Sequence, residues 1–428
     1  MYKAGTATEI ITPAESFWLA GYAARTEPAK GKISDLHATA VALEDEQGGR
    51  LVIASVDLIA VTKAIADPVC ATIEKEIALP RERLILAATH THYGPEYRDD
   101  KALFFNIPPD YAAKFADVRR LVNDKLTEVI IASTKNMVPV RLYARKATAT
   151  FAHNRRREGV KGGTPSPLDI LDHDVPILDV VHTETGLRKA IIFGYACHNT
   201  TLPPEDCRYS ADWAGVAKQH LQQHHAGSTA LFITGCGADQ NPEPRGTVEL
   251  SNRYGQELAV AVELALTKDD AIEITGPIRA ARQDVPLELQ PVTRDTLDAM
   301  LQENDPPKQR KAKFLLDQLN RGDKLITHYD APIQAINIGD RLLMIVMSGE
   351  PVVDWALKFK RQYSKIPFLW IAGYCNDMYG YVPTKRIQQE GGYEGGRANL
   401  WSWVPSPFTD DLETRISHAI QTLVRRLS

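Results

Sequence analysis

The 428-residue chain lacks most of the features that assign a protein to a class directly. Its five cysteines (Cys70, Cys197, Cys207, Cys236 and Cys375) are scattered, odd in number and never spaced as C-x-x-C. That argues against a disulfide framework and a zinc knuckle, and leaves the thiols as small apolar core residues. No run approaches the ~20 apolar residues that a membrane-spanning helix needs. The opening stretch "MYKAGTATEIITP" has neither a basic nor an apolar leader region, so no signal peptide is read there. The expected compartment is the cytoplasm, or the periplasm or exterior if a leader once preceded the first strand. Positive charge is not in excess: the formal net charge is −4, which offers nothing to nucleic acid or anionic membranes. H-E-x-x-H, the G-x-S-x-G elbow, the P-loop and the Rossmann glycine triplet are also absent.

What is present reads as an ordinary soluble globular protein, 44% hydrophobic and 24% charged. Strands are expected at 36–43, 50–61, 82–92, 138–149, 176–182, 189–197, 228–234, 331–337, 341–347 and 367–372, with extended chain over 273–287. Helices are expected over 63–77, from an Asp110 N-cap to Ser133, and at 211–223, 247–267, 353–363 and 409–427. The Asp110 helix carries one apolar stripe of Phe115, Val118, Val122, Leu126 and Val129. The charged stretch 293–322 reads as two polar helices with a solvated face. Strands interleaved with helices, without repeat or linker, imply one α/β domain over 1–428, with layered mixed sheets flanked by helices.

Four apolar strands run out into clusters of small and polar residues: "AATHTHYGP", "FGYACHNTTL", "FITGCGADQNPEP" and "IVMSGEP". Strand ends are where α/β proteins gather their ligands, so these four are expected to converge. Singly, each has an ordinary reading: His90 and His92 finishing a turn, His198 a hydrogen-bonded core residue, Glu350 a helix cap. Together, imidazoles plus a carboxylate form the ligand set of a catalytic zinc. Residues i and i+2 of a strand share a face, so His90 and His92 can point into one cavity.

These stretches resemble the neutral/alkaline non-lysosomal ceramidases. "THTHYGP" is similar to that family's "THTHSGP", "HNTTL" to "H-x-T-S", "SADW" to "SGDN" and "GADQNPE" to "GDVSPN". "GYCNDMYGYVPTKRIQQEGGYEGG" resembles "N-x-Y-x-GYVTT…YEGAST", and the motif order agrees from about residue 3 to 400. The resemblance implies an amidase with one zinc ion held by His90, His198, Glu350 and Tyr381. It implies that His92 stands beside the metal and relays a proton. Arg155, in "HNRRR", and Tyr393, in "YEG", would steady charge on the scissile carbonyl. Asp212 and Asp239 are expected to orient the ligating histidines, which usually donate their far N–H to a carboxylate or carbonyl.

There are departures from the family pattern. Asn241 stands where the family has serine, which removes a serine nucleophile and favours metal-activated water. "YEGGRAN" lacks the Ser-Thr that follows "YEG", and the family's C-terminal β-sandwich domain is not expected here. The expected substrate is therefore a soluble or lipid-like N-acyl amide rather than ceramide alone. Two alternatives keep the metal: an ester or phosphoester hydrolase, and a metal-binding protein without catalysis.

Overall fold

The computed structural model describes residues 1–156 and 170–427. Its first sheet is built from β1 (Tyr2–Ile10), β2 (His37–Glu44), β3 (Arg50–Val56), β4 (Leu84–Ala88), β5 (Val138–Thr148), β7 (Asp174–His182), β8 (Arg188–Tyr195) and β9 (Thr229–Thr234). The short β6 (Ala152–Asn154) lies outside it and pairs with β10 (Gln240–Pro242). The order is β4-β3-β2-β1-β5-β7-β8-β9, with β11 (Ile272–Ile274) added against β5. A second sheet has the order β12-β13-β14-β16, from Ile278–Glu288, His328–Ile338, Leu342–Met347 and Phe368–Ala372. The two-residue strands β15 (Glu350–Pro351) and β17 (Tyr381–Val382) pair in parallel beside it.

The two sheets lie face to face. Val41, Ile53, Ile85 and Leu142 of the first pack in one core with Ile336, Met344, Val346 and Trp370 of the second. The alternate residues of β2 to β4, such as Ala40, Val52 and Leu86, face outward onto α1 (Lys63–Ile77) and α4 (Phe115–Ser133). α5 (Asp212–His224) and α6 (Val248–Leu266) cover β7 to β9 in the same way. On the far side, α9 (Val353–Gln362) and α11 (Leu412–Leu427) cover the second sheet. The layers therefore run helix, sheet, sheet, helix. With both faces of the central strands covered, apolar–polar alternation disappears from their sequences. No helix among the described residues is long and apolar enough to cross a membrane.

Most expected elements lie within a few residues of their places, and the departures have physical causes. The expected 50–61 strand stops at Val56, where buried Asp57 accepts from His37 N and from Lys218 Nζ at 2.6 Å. The helix expected from Asp110 is two pieces, α3 (Pro109–Ala112) and α4, and Asp110 caps neither. The extended stretch 273–287 divides at Gly276 (φ +111°), where the chain passes from the first sheet into the second. The polar stretch forms α7 (Arg294–Gln302) and α8 (Pro306–Asn320), but its face is not wholly solvated, since Lys311 is buried. α2 (Asp99–Phe104) and α10 (Lys385–Glu390) complete the helices named here.

Candidate active site

Three parallel strand pairs, β3–β4, β8–β9 and β14–β16, deliver their C-terminal ends to one place. The loops after β4, β8 and β14 carry His90, His198 and Glu350, as expected for converging strand ends. The exit of β16, where the "GYCNDMYGYVPTK" motif begins, joins them. Cys375 bridges to Ala87, and Ala88 N donates to Tyr374 O at 3.1 Å, tying the two sheets together.

His90 and His92 do converge, but not by strand alternation. β4 ends at Ala88, and His90 has a φ of +61°, a left-handed conformation rare for residues other than glycine. That turn, with the bridge from Thr91 to Asn199, brings both rings to the same side. Gly21 makes room for the second ring, since a Cβ there would run into the His92 imidazole. Arg25 donates to His92 O at 2.8 Å and holds the loop from behind.

The imidazoles are oriented by backbone. His90 Nδ1 lies 2.7 Å from Ile59 O, and His198 Nδ1 lies 2.7 Å from Gly237 O. Carbonyl oxygens only accept, so each Nδ1 carries the proton and each Nε2 presents a lone pair. Those nitrogens stand 3.4 Å (His90) and 3.6 Å (His198) from Glu350 Oε2, and His92 Nε2 is 3.3 Å from His90 Nε2. Burial, with His198 nearby, pushes the His90 pKa down to about 3, and burial with His90 nearby pulls that of His92 well below its ordinary value. Burial penalises the charge on Glu350, yet His90, His198 and Arg155 hold its carboxyl below the usual range.

The expected carboxylate support for these rings is corrected: neither Asp212 nor Asp239 contacts a site histidine. Asp212 accepts from Thr201 N, Trp213 N and Ser251 Oγ, each at 2.7 Å, and so ties the His198 loop to α5 and α6. Asp239 accepts from Val353 N and Asn154 Nδ2, while its own carbonyl takes Arg155 N at 2.8 Å. Both fix loops rather than rings, because backbone carbonyls already fill the place expected for a carboxylate.

Tyr381 stands beside Glu350 in the β15–β17 register. Its hydroxyl accepts from Arg155 Nη2 at 3.0 Å, and its ring meets Tyr393 at 5.3 Å between centroids. Arg155 also donates from Nε to Glu394 Oε1 at 2.6 Å, and Arg156 donates to Glu394 Oε2 at 2.8 Å. The phenol and carboxylate partners hold the Arg155 guanidinium charged despite burial. Burial raises the Tyr393 hydroxyl to about 12. Glu394 escapes a reading of the sequence because "YEGG" looks like a glycine-rich turn, although consecutive arginines in "HNRRR" signal a need for a buried anion. Tyr374 escapes it as well: its ring lies 4.4 Å from His90, and its buried hydroxyl has no hydrogen-bond partner.

The residues present fit a metal. His198 Nε2 and Glu350 Oε2 are buried without a hydrogen-bond partner, a costly arrangement that a cation would relieve. His90, His92 and His198 can bring their ligand atoms within 4.8 Å of one another. The centre opens into a cavity of about 550 Å³, bordered by His90, His92, Glu350, Tyr381 and Tyr393. Its far wall is aromatic, with Phe105, Tyr329, Tyr379, Trp401, Trp403 and Phe408. A mostly apolar cavity of this size, edged by charged side chains such as Lys63, Arg98, Asp100 and Asp377, is typical of a small-molecule site.

Comparison with known proteins agrees with this architecture. The sequence profile described as neutral/alkaline non-lysosomal ceramidase, N-terminal, matches residues 2–241. A solved structure described as a ceramidase complexed with C2 shares the fold at a TM-score of 0.76 and 18% identity, over 99% of this chain and 74% of that one. The neutral ceramidase of Pseudomonas aeruginosa gives 0.77 and 18% over the same shares. No curated protein matches the chain. With the profile spanning more than half its length, the chain belongs to the neutral/alkaline non-lysosomal ceramidase family.

Proposed function

We propose that this protein is a zinc-dependent hydrolase of N-acyl amides, soluble or lipid-like, with His90, His198, Glu350 and Tyr381 as the metal ligands. The reading rests on one observation: the buried lone pairs of His198 Nε2 and Glu350 Oε2 meet at 3.6 Å, without hydrogen-bond partners, beside a cavity lined by His90, His92 and several aromatic rings. A zinc ion so held supplies Lewis acidity and lowers the pKa of a bound water to about 7.

The chain's own groups divide the remaining work. The two carbonyl-anchored histidines are pre-set in the ligating tautomer, so they need no reorganisation. His92 borders the cavity with a neutral ring, and its role is to carry a proton to the leaving nitrogen. Arg155, charged at all working pH values, stabilises negative charge as it develops on the acyl oxygen. Tyr393 keeps its proton at neutral pH and serves as a second donor at the cavity rim.

Metal content of the purified protein, paired with turnover of a panel of N-acyl amides, tests the reading. His90→Ala is expected to lose both metal and turnover. Protein that never binds zinc, or that binds it and hydrolyses no amide, overturns the proposal.

A further inference from the structure

Helix α8 buries a lysine. Lys311 is 1% exposed, and its ammonium donates to three backbone carbonyls: Asn399 O at 3.3 Å, Val404 O at 2.5 Å and Ser402 O. Lys101, on α2, donates to Trp401 O at 2.5 Å. Two ammonium groups thus hold four carbonyls within residues 399–404.

This segment supplies Trp401 and Trp403 to the cavity wall, and its own bonds run mainly through Asn399, whose Nδ2 donates to Val404 O at 3.0 Å and Ser406 O at 3.1 Å and whose carbonyl accepts from Ser402 N at 3.0 Å. Its regular part is the 3₁₀ turn Arg397–Trp401, which follows Gly396 at φ +153°. Trp403 is 40% exposed, so packing alone does not fix it. A buried ammonium is expensive unless its protons are all satisfied, so carbonyls that converge on one are drawn into a single arrangement. Burial and the neighbouring Lys101 push the Lys311 pKa down to about 7 and Asp100 acts against them, while three carbonyl acceptors suit the protonated form.

We propose that Lys311, seconded by Lys101, is a positioning residue that sets specificity: it fixes residues 399–404 as the wall against which the apolar part of the substrate lies. The inference rests on the amidase reading above. At the other end of the same stretch, Glu394 is anchored separately by Arg155 and Arg156. Loosening the lysine anchor therefore leaves the reacting end in place, and the effect falls on binding of long acyl chains rather than on chemistry.

The test uses full-length protein with Lys311→Met. It reads hydrogen exchange over 399–404, and kcat and KM for the N-acetyl and N-dodecanoyl amides of one amine. Exchange is expected to quicken in that segment alone. KM for the dodecanoyl amide is expected to rise about tenfold, with its kcat and both constants for the acetyl amide unchanged. Lys101→Met, at the more exposed of the two lysines, gives the same pattern more weakly and serves if the first variant does not fold. Unchanged exchange, or an equal rise in KM for both amides, overturns the proposal. Wild-type protein that hydrolyses neither amide overturns the amidase reading and the specificity claim with it. Exchange then still decides whether the lysines hold the wall.

Discussion

The two ends of the cavity are built on opposite principles. At the metal end, polar atoms are buried, their partners are backbone carbonyls, and His90 accepts a left-handed backbone to reach its place. At the aromatic end, Trp401 and Trp403 are partly exposed, and the wall that carries them is held by the Lys311 ammonium and by that of Lys101, which borders the cavity itself. One end is rigid because its geometry is over-determined, while the other is rigid only as long as its anchors hold. On the proposed reading, chemistry belongs to the first and choice of substrate to the second.

That contrast can be broken at several points. Glu350→Gln, at the metal end, is expected to lower turnover on the order of a thousandfold and to reduce bound zinc, read by elemental analysis beside kinetics. His92→Ala should separate the two readouts: zinc is retained, while kcat falls roughly a hundredfold or more. Retention of turnover by that variant would remove His92 from the mechanism.

Glu394→Gln leaves Arg155 and Arg156 without their shared buried anion, and should cost about 3 kcal/mol of stability in a denaturant titration. Its pH signature has a definite sign. Burial raises the Glu394 pKa, but Arg155 and Arg156 prevail and hold it below its ordinary value. Its contribution is therefore complete above the unfolded pKa of about 4.3 and is lost as pH falls through the lower folded value. The variant should accordingly lose less stability than wild type across that acid range. Trp403→Ala, at the exposed rim, should have the smallest effect: a rise of about two- to fivefold in KM for long-chain amides, with stability changed by less than about 1 kcal/mol.

Much of the fold and site is legible in the sequence, and the gaps have physical causes. Strands such as Leu84–Ala88 and Thr229–Thr234 announce themselves, because complete burial demands an unbroken apolar run. The convergence of His90, His198 and Glu350 is legible because each follows a buried strand directly, and parallel neighbours end on the same rim of a sheet. The left-handed turn at His90 is not, since a positive φ leaves no mark when the residue is not glycine. Carbonyl partners for His90 and His198 are equally hidden, because every residue has a carbonyl and none signals its use. Lys311 illustrates the same limit. A lysine in "KQRKAKF" looks like solvent-facing charge until the fold sets three carbonyls around it.

The candidate ligands come from both halves of the sandwich. His90 and His198 follow strands of the first sheet, while Glu350 and Tyr381 sit beside the second. An ion bound among them would be a rivet through the molecule, joining one sheet to the other where their strands run out. Binding and folding would then be linked: at a free zinc concentration a hundred times Kd, the native state gains about 2.7 kcal/mol over the unfolded chain. Chelation should therefore lower the Tm as well as stop turnover, and the melting curve would report on the site with no substrate present.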